Sequence, residues 1–293
     1  MTLRSRRVLA VAVIVALAVL APLNAAGRAF AWKATGRGGV VYLVGSVHML
    51  SSDMYPLSPS LESAYKDSDL LVEEVDLGLM MDPSSQMQLL MRGMLPSSQS
   101  LEKVLSPATY ALVSKRIESS GAPMEPLRLL KPWMVALMLE AMEWQKAGLD
   151  PELGLDKHFY DEAKNDSKGV QGLETADDQL SIFDTMTMDQ QDKMLAQTLK
   201  DIDEEKAAMS KLIDAWKTGD TTAVERIVLA GLKQDPALYQ RLLVGRNKNW
   251  LPKLEALFTR RGHALVVVGA AHLVGPDGLV AMLKAKGYSV EQM

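Results

Sequence analysis

Two stretches of the sequence end an apolar, β-branched run in a glycine and then place a histidine three residues later. They are VVYLVGSVHML, residues 40–50, and ALVVVGAAHLV, residues 264–274. The chain has four histidines, and two of them, His48 and His272, stand in these matching settings. Imidazole is the commonest metal ligand in proteins and a common general base. The pair therefore predicts a metal-binding or catalytic crevice.

The glycine of each motif has a predicted role in shaping that crevice. We expect Gly45 and Gly269 to adopt positive φ and to turn the chain over the edge of a sheet. The histidine then lies beyond the C-terminal end of a strand, where α/β sheets bind ligands. Gly-x-x-His is a weak pattern, and either histidine alone could be a hydrogen-bonded loop residue. Its repetition in a histidine-poor chain favours function.

A candidate carboxylate follows in DLLVEEV, residues 69–75. Glu73 and Glu74 are consecutive on a predicted strand, so they point to opposite faces, and alternation alone does not choose between them. The alternative is an exposed edge strand that carries charges against aggregation. Two histidines and one carboxylate are a suitable ligand set for a divalent metal with open positions for water. Such a metal lowers the pKa of water and polarises a carbonyl.

Other hydrolytic chemistries lack their motifs. The sequence has no cysteine, no Gly-x-Ser-x-Gly elbow and no His-Glu-x-x-His helix, so the corresponding classes of hydrolase lack support. The formal net charge of −4, with basic residues spread along the chain, argues against nucleic acid as a partner.

The remaining candidates have ordinary structural explanations. We expect His158 at the surface, in the first turn of a helix capped by Asp156, and His263 in a structural role at the start of a strand. The methionines of residues 79–95 are expected to pack in the core or the cap rather than to bind copper.

Three polar residues could either build the structure or orient a substrate. In GRNKNW, residues 245–250, Arg246 could fix a carboxylate and Asn247 could cap the following helix. Glu174 in GLETADDQL could be a crevice carboxylate or an early helix residue.

These residues must be positioned by strands that lie at the two ends of the chain. The predicted strands are FAWKAT, GVVYLVG, DLLVEEV, HALVVVGA and YSVEQ. The segment from about 83 to 261 is mainly helical in pattern, with one short strand at KGVQGLE. We predict an α/β (α+β) fold with a central mixed β-sheet built from both ends of the chain and a large, mainly helical insertion or cap. The two histidine-bearing strands must then be neighbours.

The N-terminus has the pattern of a secretory leader. A basic segment, MTLRSRR, precedes the uncharged apolar run Val8–Leu23, and Ala29-Phe30-Ala31 has the form of a cleavage site. The apolar run is shorter than the ~20 residues of a spanning helix. We predict a signal peptide at residues 1–31, a single domain at 32–293, and a periplasmic or secreted bacterial protein. An uncleaved anchor is the alternative, and the leader would then be its membrane contact.

The sequence resembles the TraB/GumN family, which includes the Tiki-type proteases, and most closely its GumN-like bacterial branch. The similar segments span almost the whole predicted mature chain. They are VYLVGSVHML, DLLVEEVDL, LKPW, GLDKHFYDEAK, GLETADDQL, LLVGRNKNW and VVVGAAHLVGPDGLVAMLKAKGY.

This resemblance implies a metal-dependent hydrolase, foremost a peptidase, that uses Mn²⁺ or Co²⁺, with Zn²⁺ as a further choice. It favours Glu74 over Glu73 as the third ligand or as the general base for a metal-bound water. Asp76 is then expected on the same face of the strand as Glu74. The implied metal ligands are His48, Glu74 and His272, and the implied catalytic and supporting residues are Glu74, Arg246, Asn247 and Glu174. In this interpretation Arg246 holds a substrate carboxylate or carbonyl oxygen.

The expected partner is a peptide or another small envelope substrate. The alternative function is a non-catalytic envelope protein that binds a ligand in the same crevice. Such a protein would either bind haem or act as an accessory of polysaccharide export. The oligomeric state is not predicted.

Overall fold

The computed structural model of the protein describes residues 28–36, 38–204 and 206–293. Residues 1–27, most of the predicted leader, lie outside the described residues.

A mixed β-sheet forms the centre of the described chain, as predicted. Its strands are β1 (Ala31–Thr35), β2 (Val40–Ser46), β3 (Leu70–Glu73), β4 (Gly169–Gly172), β5 (His263–Gly269) and β6 (Ser289–Gln292). The spatial order is β4-β3-β5-β2-β1-β6. Strands β4, β3, β5 and β2 are mutually parallel, whereas β1 runs antiparallel to β2 and β6. Strands from both ends of the sequence therefore meet in one sheet, and the two histidine-bearing strands, β2 and β5, are neighbours.

Strand β5 explains why the sheet closes in this order. Its apolar run Leu265–Val268 is fully buried, and a strand that is apolar on both faces needs helices on both sides of the sheet. It lies between β2 and β3, with Val44 opposite Val267 and Glu73 also opposite Val267. Pairing on both edges satisfies the backbone hydrogen bonds of this buried strand.

Helices cover the sheet and form the insertion. They are α1 (Pro59–Lys66), α2 (Leu77–Met80), α3 (Pro83–Gly93), α4 (Leu101–Val104), α5 (Pro107–Ser120), α6 (Pro132–Lys146), α7 (Leu155–Asn165), α8 (Ala176–Asp184), α9 (Met188–Glu204), α10 (Lys206–Lys217), α11 (Thr221–Leu232), α12 (Pro236–Tyr239), α13 (Gly245–Leu257) and α14 (Leu279–Ala285). Short 3₁₀ turns lie at Ser52–Met54, Leu127–Leu129, Pro151–Leu153 and Ala270–Leu273, and a π turn at Gln240–Val244. Helix α5 shows how the sequence sets such ends: Ser106 caps it, and Gly121 closes it at φ 69°.

The insertion divides into two parts that pack differently. Helices α4, α5, α6 and α9 share a separate apolar cluster that includes Leu101, Val113, Val135 and Leu195. Helices α7 and α10–α13, by contrast, contribute to the core around the sheet. Strand β4, which also lies between residues 83 and 261, is part of the sheet itself. The part that forms a cap is therefore smaller than the predicted bounds of 83–261.

The two residues before β1 and the first residue of β1 belong to the folded core. Ala29, Phe30 and Ala31 are at most 4% exposed, and the Ala29 amide donates a 2.8 Å hydrogen bond to the carbonyl of Met293. A cut after Ala31 would remove these contacts. The leader and its cleavage site remain predictions.

The methionines of α2 and α3 are not packed as predicted. Met81, Met87, Met91 and Met94 are 40–66% exposed. Helix α3 is attached through Arg92, whose Nε lies 3.3 Å from Asp184 Oδ2 on α8, so its polar side faces its neighbour and its methionines face outward.

Candidate active site

Four adjacent parallel strands end at the same edge of the sheet, and each is followed by a polar residue of the candidate site. In spatial order these residues are Glu174 after β4, Glu74 after β3, His272 after β5 and His48 after β2. The carboxyl ends of parallel strands form one rim. The order of the strands therefore brings together side chains that are up to 224 positions apart in the sequence.

Gly269 stands at the centre of this arrangement. A methyl group at its Cα would lie 3.2 Å from Glu74 Oε1, 3.5 Å from His48 Nε2 and 3.7 Å from His272 Cδ2. The Gly269 amide also donates a 2.7 Å hydrogen bond to Glu74 Oε1. The missing side chain leaves a small cradle between the two histidines and the glutamate.

His48 is held from α7. Its Nδ1 lies 2.9 Å from Asp156 Oδ2, and Ser46 Oγ donates to the same carboxylate oxygen. Asp156 thereby fixes the ring so that Nε2 faces the cradle. The carboxylate also raises the pKa of His48, although the side chain is 65% exposed and water screens part of that effect.

Arg246, in the first turn of α13, joins two of the site's carboxylates. Its Nη2 donates to Glu74 Oε2 and, over 2.7 Å, to Glu174 Oε1, while Nε donates to Glu174 as well. Its Nη1 approaches His272 Nε2 at 3.0 Å and the carbonyl of Leu242 at 3.3 Å. All five N–H groups of a guanidinium thus have an acceptor.

His272 is the most enclosed member of the site. Asn247, which is fully buried, accepts from His272 Nδ1 over 2.7 Å and donates to the carbonyls of His272 and Asp277 at 3.3 and 2.8 Å. The ring packs on Trp250 at a centroid distance of 4.5 Å. With Nδ1 carrying the proton, Nε2 is left as an acceptor.

Burial and neighbouring charges set the protonation states of Glu74 and His272. Burial would raise the pKa of Glu74, but the charge of Arg246, supported by the two histidines and the Gly269 amide, lowers it to about 2. Burial lowers the pKa of His272 to about 3. At neutral pH these two groups are therefore a carboxylate and a neutral imidazole, which are the forms that bind a metal. Asp156 raises the pKa of His48 to about 9, so His48 must lose a proton before it can bind an ion.

The predicted backbone role of the motif glycines is wrong. Neither Gly45 nor Gly269 has a positive φ. Both are required because other groups approach closely: a methyl group on Gly45 would lie 2.3 Å from the Phe30 ring, and one on Gly269 would fill the cradle.

Glu74, rather than Glu73, faces the two histidines, and Asp76 has a separate role. Asp76 caps α2 and accepts from the amides of Gly78 and Leu79. Glu73 points away from the histidines and is 2% exposed, so burial raises its pKa to about 8. Since β3 is an inner strand, the alternative of an exposed charged edge is wrong.

Two predicted helix caps are also wrong. Asn247 lies within α13, because the π turn at Gln240–Val244 joins α12 to α13 without a break. Asp156 lies in the first turn of α7, and Gly154 is the residue before that helix. His263 has the expected structural role, since its Nδ1 pairs with Asp67 at 2.7 Å at the opposite end of β5.

Three contributors to the site are not predicted from the sequence. Asp156 and Ser46 orient His48, and Trp250 donates from Nε1 to Glu174 over 3.0 Å while stacking beneath Arg246 at 4.5 Å. The available signals were the matching family segments GLDKHFYDEAK and LLVGRNKNW, which contain Asp156 and Trp250.

The residues at the cradle fit a divalent metal in donor type and direction. His48 Nε2 and Glu74 Oε1 face the space beside Gly269, and His272 Nε2 lies 3.8 Å from Glu74 Oε1. Ligation at His272 Nε2 requires Arg246 to give up its contact with that nitrogen. Within the described residues, the compact three-ligand group is a different one, Glu62, His158 and Glu162.

The sheet order and the rim site define an α/β protein whose polar side chains gather at the carboxyl ends of four parallel strands. Residues 30–292 match the TraB/PrgY/gumN family, and the chain belongs to that family, as the resemblance of its motifs indicated.

The relatives of the chain include an uncharacterized protein, YbaP. The YbaP of Escherichia coli (strain K12) is 29% identical over 246 residues, which cover 83% of this chain and 87% of YbaP. The YbaP of Shigella flexneri matches to the same extent. No solved structure matches the chain.

The described part of the chain contains no helix that is both long enough and apolar enough to span a bilayer.

Proposed function

We propose that the protein is an exported metal-dependent hydrolase of the bacterial envelope, with peptide bonds as its substrates. The observation that carries the proposal is the cradle beside Gly269, onto which His48 Nε2, Glu74 Oε1 and the His272 ring converge within 3.2–3.7 Å. A divalent ion such as Mn²⁺, Co²⁺ or Zn²⁺, bound by these three residues, would supply activated water and would polarise a carbonyl group.

The side chains around the cradle prepare these donors. Asp156 and Asn247 each hold the Nδ1 of one histidine, so that each Nε2 is directed to the site. This is the arrangement of carboxylate or amide partners that orients metal-binding histidines in other proteins. Burial keeps His272 neutral, and the nearby cation keeps Glu74 ionised.

Glu74 is also suited to proton transfer. One of its oxygens, Oε1, faces the cradle, while Oε2 is held by Arg246. Oε1 accepts one hydrogen bond, from the Gly269 amide, and a carboxylate oxygen has two lone pairs. It can therefore still accept a proton from an attacking water. Glu74 therefore serves as ligand, as general base, or as both.

Arg246 has a positioning role in this proposal. Its N–H groups are already committed to Glu74, Glu174, His272 and the carbonyl of Leu242, so it has no free donor for a substrate carboxylate. It neutralises two adjacent carboxylates that would otherwise repel each other. A metal held by His48, Glu74 and His272, rather than Arg246, would polarise the carbonyl group of a substrate.

The test is a cleavage screen of the purified full domain against a peptide library, with and without a chelator. We expect chelator-sensitive cleavage that Mn²⁺, Co²⁺ or Zn²⁺ restores. His48→Ala and Glu74→Gln should each reduce it at least ~100-fold, a loss of about 2.7 kcal/mol of transition-state stabilisation. His263→Gln is the matched control, because this histidine lies at the other end of β5 and should leave cleavage unchanged.

Cleavage that survives complete metal removal would contradict the metal-dependent mechanism. Metal binding at the cradle without cleavage of any peptide or small ester would instead indicate a ligand-binding protein of the envelope. Haem binding would give a Soret band on reconstitution, which His48→Ala or His272→Ala would remove.

A further inference from the structure

A second cluster of metal-ligating side chains lies between α1 and α7. Glu62 projects from α1, and His158 and Glu162 project from α7 one helical turn apart. His158 is separated by two positions from Asp156, the partner of His48, so the two side chains leave α7 roughly 200° apart. The second cluster is therefore distinct from the site beside Gly269.

The spacing of the cluster is that of ligands around a common ion. His158 Nε2 lies 3.6 Å from Glu62 Oε1 and 3.7 Å from Glu162 Oε2, and all three atoms lie within 4.8 Å of one another. These distances exceed those of hydrogen bonds. A tetrahedral ion with bonds of 2.0–2.2 Å holds its ligands about 3.3–3.6 Å apart, which is close to the observed spacing.

Two of these three atoms lack a hydrogen-bond partner. His158 Nε2 and Glu162 Oε2 are buried and have no hydrogen-bond partner, which is uncommon for buried polar atoms. In the part of the chain that is described, no lysine or arginine pairs with Glu62 or Glu162 within 4.0 Å. Two carboxylates and a ring nitrogen thus face one another, and no lysine or arginine is in ion-pair contact with them.

The surroundings hold His158 in place. The Tyr55 ring packs against it at a centroid distance of 5.3 Å, and the Tyr55 hydroxyl donates to the carbonyl of Leu153 over 2.8 Å. The imidazole is therefore supported on one side by an aromatic ring, and its Nε2 edge is directed at the two glutamates. The side chain is 22% exposed, so it lies partly at the surface, as expected from the sequence, while its Nε2 is buried.

We propose that Glu62, His158 and Glu162 bind a divalent transition-metal ion, with Zn²⁺ as the best-fitting choice. One imidazole nitrogen and two carboxylates favour Zn²⁺ over Mg²⁺ or Ca²⁺, which prefer oxygen ligands alone. The His-x-x-x-Glu spacing places both α7 ligands on one helix face. The ion ties α1 to α7 and thereby steadies the first turn of α7, where Asp156 holds His48.

The test isolates this cluster from the candidate active site. Zn²⁺ is titrated into the full domain carrying His48→Ala and His272→Ala, and binding is measured by calorimetry and by metal analysis after dialysis. We expect this protein to retain one equivalent of Zn²⁺. Adding Glu62→Gln and Glu162→Gln should weaken that binding about tenfold or more, whereas Asp161→Asn, on the same helix but paired with Lys157, should not change it.

A second readout does not depend on stoichiometry. Zn²⁺ should raise the thermal midpoint of the protein carrying His48→Ala and His272→Ala, because it binds only the folded state, and the rise should vanish with Glu62→Gln and Glu162→Gln. Circular dichroism confirms that each variant is folded. The proposal is overturned if the first protein binds no Zn²⁺, or if Zn²⁺ binding and the thermal shift survive the loss of both glutamates. Neither result bears on cleavage at the site beside Gly269.

Discussion

Gly269→Ala tests the cradle with the smallest possible change. The backbone at Gly269 has φ −50° and ψ 138°, an extended conformation that alanine adopts without strain. The new methyl group would lie 3.2 Å from Glu74 Oε1, 3.5 Å from His48 Nε2 and 3.7 Å from His272 Cδ2. A shift of a few tenths of an ångström relieves the closest contact, so we expect the free energy of unfolding to change by no more than about 1 kcal/mol.

Metal binding should respond much more strongly than stability. An ion about 2.0–2.2 Å from its donors and its water ligands need the space that this methyl group fills. We expect the affinity for Mn²⁺ to fall at least ~100-fold, or about 2.7 kcal/mol. The reaction that depends on the ion should be lost in parallel.

The assay is a Mn²⁺ titration combined with urea unfolding. The protein with Gly269→Ala and the protein with the natural Gly269 both carry Glu62→Gln and Glu162→Gln, so that only the site beside Gly269 is titrated. Gly231→Ala is the control, because its methyl group would meet only Asp201 Oδ2, at 3.8 Å, inside α11. Wild-type Mn²⁺ affinity in folded Gly269→Ala would refute the assignment of the cradle as the metal position.

Four further results are expected. Asp156→Asn should lower the pKa of His48 towards its ordinary value, as followed by NMR titration of the ring, and an unchanged pKa would show that the 2.9 Å contact is not formed in solution. Asn247→Leu should destabilise the fold by about 3 kcal/mol or more, because it leaves three buried polar groups unpaired; urea unfolding measures this, and a change below 1 kcal/mol would contradict it. Arg246→Met should cost about 3–5 kcal/mol at pH 7. The two carboxylates it leaves behind then have raised pKa values and bind protons on folding, so the deficit should shrink as the pH falls to 5, and a deficit independent of pH would argue against this pairing. If a leader is removed on export, intact-mass analysis should place the new N-terminus at or before Ala29, and a start at residue 32 would show that the burial of Ala29 is dispensable.

The sheet was largely predictable because its signals are local. Runs of β-branched residues that end in glycine, such as residues 40–45 and 264–269, specify buried strands wherever they occur. The short strand at KGVQGLE was also visible. What the sequence could not show is that β5 inserts between β2 and β3, since strand order depends on packing between distant segments.

The sequence was enough to predict which residues form the candidate site, but not which side chains contact one another there. The repeated motif identified His48 and His272, and the family resemblance selected Glu74. The role of Gly269 was misjudged because a close approach by other side chains leaves no trace in local sequence. Asn247 was placed at a helix cap because a π turn that continues a helix has no clear sequence signal.

The position of the metal is the central claim, and anomalous X-ray scattering from crystals soaked in Mn²⁺ tests it most directly. We predict a peak within bonding distance of His48 Nε2, Glu74 Oε1 and His272 Nε2, with Arg246 released from His272. Crystals that show no peak beside Gly269, with Arg246 still hydrogen-bonded to His272, would contradict it.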